Sequence, residues 1–371
     1  MPAIRFHQLL FVCLLLPALT IAGDDTATDE TDVKPVGMSS RDYTDPERTE
    51  WGGDEPRPLA TTLWYPTDAT QDTFEVTIGN PEDPLFIAGR AQGNPPVSEA
   101  EERYPLILLS HGTGSAGVHL MWLATTLAEN GYIVAAVNHH GNTSAGDPYR
   151  PEGFMLWWER TRDLSAVLDQ LLEDSEIGDQ IDGLRVGAAG FSLGGYTVIS
   201  LAGGITSLEA FETFCNSHRR DATCEPQAEF PGSADAFRQA ELEPHVQASL
   251  AEHDESWRDD RFAAVFAIAP ALGGAFTERG LMPIVVPVGI LAAAADNVAP
   301  AATNAEHFAR FIEDTELSTI EDAGHYSFLS HCTDSGRERL GLFCTDPENN
   351  RAAIHERAGE KVLDFFDRHL N

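Results

Sequence analysis

The sequence is short of positive charge. Its 371 residues include 24 lysines and arginines against 59 aspartates and glutamates, a formal net charge of −35. A surface of that sign repels phosphate backbones and anionic bilayers, so nucleic acid is excluded as a natural partner. Two readings of the acidic excess stay open. It can be a solvated surface that keeps the chain soluble, or an adaptation to a saline medium that screens self-repulsion. Cysteine is scarce too, at five residues. No two of them have C-x-x-C spacing, which argues against a zinc site. There is no internal repeat, and the apolar run at 9–21 is too short to span a bilayer.

That run has another meaning. Arg5 precedes it, and Thr20-Ile21-Ala22 offers a small-residue cleavage context before Gly23. Residues 1–22 therefore read as a signal peptide, and the protein as secreted or periplasmic. Cys13 lies inside the run without small residues before it, so no stable membrane anchor is expected. The other four cysteines form two sequence-local pairs. In an oxidising compartment the simplest pairing is Cys215–Cys224 and Cys332–Cys344, although the sequence leaves other connectivities open.

Residues 23–55 are rich in Asp, Glu, Thr and Gly with no apolar periodicity, which predicts a flexible acidic leader. From residue 56 the pattern changes. Residues 59–66 (LATTLWYP) and 73–78 read as strands. Nearly unbroken apolar strands follow at 105–110, 132–138, 184–191, 262–268 and 285–292, with a weaker one at 318–320. Helical stretches lie between them at 119–130, 154–172, 192–201 and 305–312, and a last helix covers 351–369. This alternation predicts one α/β domain over 56–371, with a mostly parallel central sheet and helices on both faces. The polar, helix-biased stretch 204–260 breaks the rhythm before a late core strand. It reads as an insertion, either a lid over a site or a plain surface excursion.

The chemistry centres on Gly190-Phe191-Ser192-Leu193-Gly194, a G-x-S-x-G motif placed after a strand and at the start of a helix. A turn that tight exposes its serine on a strained backbone, and its glycines remove side chains that would collide. Ser192 is the candidate nucleophile. A serine needs a base, which should follow an acid late in the chain. His325, in a turn after a strand, is the candidate base, with His331 as its nearest rival. Asp296 ends an apolar strand and is the candidate acid, with Asp314 and Asp322 as alternatives. An oxyanion hole needs two backbone N–H groups. Leu193 follows the nucleophile, and Thr113 lies in the glycine-rich loop after the strand at 105–110. That loop has neither a Walker lysine nor GxGxxG spacing, so a phosphate cradle is disfavoured. His139 and His140 are adjacent and point apart on a strand end, which makes joint metal ligation unattractive. Trp157 and Trp158 read as an acyl-binding wall or as core.

Four segments carry a family resemblance: LWYP (63–66), YPLILLSHGTG (104–114), GYIVAAVNHHGNT (131–143) and GFSLGGYT (190–197). Together they resemble bacterial dienelactone-hydrolase-like proteins, near the platelet-activating-factor acetylhydrolase branch of the α/β-hydrolases. The resemblance covers about residues 57–200 and resumes around Asp296 and His325. It implies an α/β-hydrolase fold, carboxylic ester hydrolysis, and triad roles for Ser192, Asp296 and His325, with Thr113 and Leu193 at the oxyanion hole. The sequence departs from that pattern in three places. Dienelactone hydrolase itself uses a cysteine nucleophile, Phe191 replaces a histidine common before the elbow serine, and His139-His140 replaces a single histidine. The expected activity is a serine esterase acting on a small-molecule, lipid or polymer ester without a cofactor. A lipase, phospholipid acetylhydrolase, polyester hydrolase or peptidase with the same triad is the alternative. The oligomeric state is not legible.

Overall fold

Strands that are apolar at every position must be covered on both faces, and the arrangement of this chain follows from that demand. The computed structural model describes residues 34–146, 148–217, 221–225, 228–229, 232, 234–346 and 350–371. The expected signal peptide, Cys13 and the first part of the leader lie outside the described residues. The strands are β1 (Val36–Thr49), β2 (Pro56–Pro66), β3 (Thr73–Asn80), β4 (Asp83–Gly93), β5 (Tyr104–Ser110), β6 (Ile133–Val137), β7 (Ile181–Phe191), β8 (Phe262–Ile268), β9 (Val288–Ala293), β10 (Thr315–Ile320) and β11 (His331–Cys332). They form one mixed sheet in the order β10-β9-β8-β7-β5-β6-β2-β1-β4-β11, and β3 also pairs with β4. Strands β5 to β10 run parallel to one another, while β2 is antiparallel to β6 and to β1.

Alternate residues of β5 show how the layers assemble. Leu106 and Leu108 face the helices Glu159–Glu173 and Leu193–Leu201, packing in one core with Leu164, Val167, Leu168, Tyr196 and Ile199. Ile107 and Leu109 face the helices Met121–Glu129 and Arg351–Leu370, with Leu123, Leu127, Val362 and Phe366. All four β5 side chains are fully buried. Burying each contributes about 1.5–3 kcal/mol. The chain adds β6 on one side of β5 and β7 on the other. The carboxyl ends of β5 and β7 therefore flank a topological switch point, the place where α/β sheets leave a crevice for ligands.

The leader ends earlier than expected. Residues 36–49 are not flexible but form β1, paired with β2 along its length. Its polar sequence hides this because ion pairs, not apolar periodicity, dock it. Arg48 meets Glu159 at 2.9 Å and Asp163 at 2.8 Å, and Arg41 and Tyr43 both bond Asp174. β4 was also not expected. The single helix expected at 154–172 is two, Pro151–Met155 and Glu159–Glu173. Within 204–260 lie the helices Leu208–Ser217, Ala234–Ala240 and Pro244–Leu250. Disulfides join Cys215 to Cys224 and Cys332 to Cys344. No helix of the described residues is long and apolar enough to cross a membrane.

Six of the described histidines are buried, and four of them, His111, His119, His139 and His355, are held neutral by the frame. Burial pulls His119, His139 and His355 down to about 3, and His111 well below its ordinary value; nearby arginines add to the effect. The unfolded chain protonates these groups near pH 6.5, and the folded chain does not. The unfolded state therefore binds more protons in the window between, and stability falls as pH drops through it. Each histidine contributes about 1.4 kcal/mol per pH unit. With a total stability of about 5–15 kcal/mol, the urea midpoint should drop steeply from about pH 7 to about pH 5 at high salt, where acidic repulsion is screened. A flat midpoint over that range would show that these imidazoles are protonated in the fold.

Candidate active site

β7 ends at Phe191, and the next helix starts at Leu193, so a single residue makes the turn. That residue is Ser192, with φ 57° and ψ −116°. A non-glycine residue there stores about 1–3 kcal/mol of strain. Its N–H donates to the Ile268 carbonyl at 2.9 Å, and its carbonyl accepts from Gly195 and Tyr196. The glycines on either side are sterically required. A Cβ on Gly190 would sit 2.0 Å from the Gly194 carbonyl oxygen, and one on Gly194 would sit 1.9 Å from that of Ser110. The first makes the turn possible. The second seats the new helix on the end of β5.

The structure brings Ser192 and His325 together. His325 Nε2 lies 2.9 Å from Ser192 Oγ, and its Nδ1 lies 2.7 Å from Asp296 Oδ2. Because the Asp296 carboxylate can only accept, Nδ1 carries the proton and Nε2 faces the serine hydroxyl as an acceptor. Asp296 Oδ1 accepts from the Val298 and Ala299 amides at 2.9 and 2.7 Å, which fixes the carboxylate. Asp296 lies just beyond β9, and His325 opens a turn after β10. The His325 ring packs against Phe191, with centroids 5.0 Å apart. The turn is held from behind, where His355 bonds the Ser327 carbonyl and Trp122 donates to that of Phe328.

The rival residues go elsewhere. His331 is on β11 and packs against His355. Asp322 pairs with Arg357, and the Asp314 carbonyl accepts from Val288. His139 and His140 diverge, to Ser110 with Asp163 and to the Trp51 amide respectively. Trp158 is fully buried and donates to Ser249, and Trp157 packs edge-on against Tyr196 and Phe211; neither lines a cavity at Ser192.

Two cavities meet at Thr113, Ser192, Ala228, Glu229 and Tyr326. One, of about 350 Å³, is walled by Ile78, Leu85, Phe86, Phe191, Leu329 and Phe343, and also reaches His325. The other, of about 210 Å³, includes Leu193 and takes Thr223, Glu225, Glu229 and Asn297 into its wall. Glu229 accepts a 2.7 Å hydrogen bond from the Tyr326 hydroxyl, so the 204–260 stretch touches the His325 turn. Neither Glu229 nor Tyr326 was singled out from sequence. Tyr326 adjoins His325 in the chain, but Glu229 sits in a polar stretch without periodicity and gives no signal. Among the described residues there is no cluster of three or more side chains suited to a metal ion.

The comparisons with known proteins agree on the architecture. The chain resembles a ferulic acid esterase from Streptomyces cinnamoneus over 93% of its own length and 92% of that chain, with a TM-score of 0.60 at 18% identity. That likeness shows the α/β-hydrolase fold. A stretch of 114 residues is 32% identical to Dipeptidyl-peptidase 5 of Porphyromonas gingivalis, covering 29% of this chain and 16% of that protein. The chain thus spans about a sixth of that relative's length. The model of the Alpha/beta hydrolase family matches residues 106–334. Because that match runs from the strand before the glycine-rich loop to beyond His325, more than half of the 371 residues, the chain belongs to the alpha/beta hydrolase family.

Proposed function

We propose that this hydrolase is an exported serine esterase that cleaves carboxylic esters through an acyl-enzyme, without a cofactor. The observation that carries the reading is the unbroken hydrogen-bonded row from Ser192 Oγ through His325 to Asp296. In this reading His325 Nε2 takes the serine proton as Oγ attacks the ester carbonyl. Asp296 stabilises the imidazolium that results. The amides of Leu193 and Thr113 hold the oxyanion, and the helix beginning at Leu193 adds its positive end. His325 then protonates the leaving alcohol, and water repeats the sequence on the acyl-Ser192. Export is supported by the two disulfides, and the ester class by the segments that resemble the dienelactone-hydrolase and platelet-activating-factor acetylhydrolase group. The 204–260 stretch serves as an insertion that walls the site.

The two cavities give the substrate a shape. The larger is lined mainly by apolar side chains and suits a bulky hydrophobic or aromatic group. The smaller carries Glu225 and Glu229, which disfavour a negative charge. The substrate is therefore a neutral ester with one bulky apolar side, which includes lipid-like and aromatic esters.

A second reading, peptide hydrolysis, draws on the local identity with Dipeptidyl-peptidase 5. Turnover of dipeptide p-nitroanilides faster than of p-nitrophenyl esters would favour it.

Ser192→Ala should lower kcat on a p-nitrophenyl ester by roughly 10⁴-fold or more with the melting temperature preserved; retained turnover would remove the nucleophile assignment. Asp296→Asn should lower kcat by about 10³–10⁴-fold, because the neutral amide no longer enforces the Nδ1–H tautomer. Wild-type kcat/KM should favour a neutral ester over an isosteric anionic hemi-ester by about tenfold or more, and Glu229→Gln should narrow that ratio. An unchanged ratio would take Glu229 out of substrate selection.

A further inference from the structure

A second polar structure lies beneath the site. Arg160, on the helix Glu159–Glu173, is 1% exposed. Its Nη2 donates to the His111 carbonyl and, at 3.3 Å, to Ser110 Oγ. Its Nη1 donates to Asn142 Oδ1 at 3.1 Å, and its Nε to Thr197 Oγ1 at 3.3 Å. Two of these partners pass the contact on. Asn142 Oδ1 also accepts from the Gly114 amide at 2.7 Å, and Thr197 Oγ1 donates to the Leu193 carbonyl at 2.9 Å. One guanidinium thus grips both segments that flank the oxyanion site. On one side it holds His111 and, through Asn142, Gly114, the residues bracketing Gly112 and Thr113. On the other it holds the first turn of the helix that starts at Leu193.

Hydrogen-bond chemistry fixes how the loop must face. Asp163 can only accept, so His139 Nδ1, 2.9 Å away, is the donor and His139 Nε2 accepts from the Ser110 hydroxyl at 2.9 Å. The lone pairs of Ser110 are then turned to Arg160. The His139 amide donates to His111 Nε2, which puts the His111 proton on Nδ1, where it meets the Gly112 carbonyl at 2.7 Å. The Gly112 carbonyl and the Thr113 N–H belong to one planar trans peptide and point in opposite directions. Holding that carbonyl on the His111 side aims the Thr113 N–H away from it. Asp163 anchors the row, paired with Arg57 and Arg48 at 2.8 Å each. Burial alone would raise its carboxyl, but these two arginines hold it well below the usual range. Burial pulls Arg160 down to about 9, so it keeps its charge at neutral pH.

Resting on the ester-hydrolysis reading above, we propose that Arg160 is the positioning residue of the oxyanion hole. It acts through His111, Asn142 and Thr197 to set the Thr113 and Leu193 amides at the spacing the tetrahedral oxyanion requires. It touches no substrate. Its planar fork engages four acceptors at once, which an ammonium cannot do. Its loss therefore weakens binding of the transition state more than binding of the ester.

The test uses the full chain, with active sites counted by fluorophosphonate labelling of Ser192. Arg160→Lys should lower kcat per labelled site by about 10²–10³-fold, with KM within about threefold of wild type. Affinity for a trifluoromethyl ketone, which adds to the serine as a tetrahedral oxyanion, should fall in parallel. Asn142→Ala, which removes the Arg160–Asn142–Gly114 link and the Asn142 bond to the Gly153 carbonyl but leaves Arg160 on His111 and Thr197, is a second variant should Arg160→Lys fail to fold; it should show the same split with a loss of about tenfold or more. A purely structural role would lower the melting temperature and the number of labelled sites, leaving kcat per site and ketone affinity unchanged in both variants. That result would overturn the proposal and leave the esterase reading intact. Failure of the wild-type chain to label or to turn over any ester would instead remove the esterase reading, and this proposal with it.

Discussion

The site depends on one constrained residue. Ser192 holds a backbone conformation that an L-residue avoids, and it does so because everything around it is close-packed. Gly194 lies so near the end of β5 that its hydrogen occupies the only space left by the Ser110 carbonyl. Gly190 lies equally near Gly194. The Ser192 carbonyl accepts from Gly195, Tyr196 and Ala271, which pins the turn from the helix and from the loop after β8. The strain of about 1–3 kcal/mol is small against the burial energy of the surrounding strands. Once the serine is fixed, the ends of β9 and β10 determine which side chains can reach it. Asp296 and His325 occupy those ends.

Among the described residues are two rows of serine, histidine and aspartate, and in the proposed reading the contrast between them explains why one of them carries the chemistry. Ser110, His139 and Asp163 are bonded at distances like those of Ser192, His325 and Asp296. The first row is sealed, with all three residues fully buried, and Ser110 lines neither cavity at the site. Its aspartate is matched by Arg48 and Arg57, and Arg160 stands beside its histidine. Burial, with the charges of Arg160 and Arg57, disfavours an imidazolium and brings His139 down to about 3. The Asp296 carboxylate is held instead by two backbone amides and the imidazole. That leaves its negative charge directed at His325, and Ser192 opens onto both cavities. The same three groups thus serve as a fixed strut in one place and as a proton relay in the proposed reading of the other.

What could be read from the sequence follows from which forces leave a pattern. The parallel strands β5 to β9 are legible because burial on both faces makes their central positions almost continuously apolar. The elbow is legible because close backbone contact demands glycine at 190 and 194. β1 reads as leader because its docking to the helix layer is ionic, and the carboxylates that Arg41 and Arg48 reach there, Asp174, Glu159 and Asp163, lie more than a hundred residues away. Arg160 and Asp163 do leave a trace in the sequence. They fall on the apolar stripe of their helix with Leu164, Val167, Leu168 and Leu171, and a charged residue on such a stripe must find buried partners. Glu229 left no trace, since its position depends on where a polar insertion crosses the site.

The division of labour in the site is spatial. Ser192, Asp296 and His325 stand just beyond the carboxyl ends of β7, β9 and β10 in the central sheet. The cavity walls come largely from other sources. These include the 204–260 stretch, where Asp221 accepts from Thr303 at 2.7 Å, and the segment 326–343. The Cys332–Cys344 bridge and Arg351, which donates to the Ser330 and Phe343 carbonyls, brace that second wall. The 204–260 stretch runs between the helix Leu193–Leu201 and β8, so a change of length or composition within it need not shift either strand register. Substitutions in these walls can therefore reshape what fits beside Ser192 while the distances among the three polar groups stay as they are. In the proposed reading specificity and chemistry rest largely on different parts of the chain, and Glu229 joins them where the 204–260 stretch hydrogen-bonds the residue next to His325.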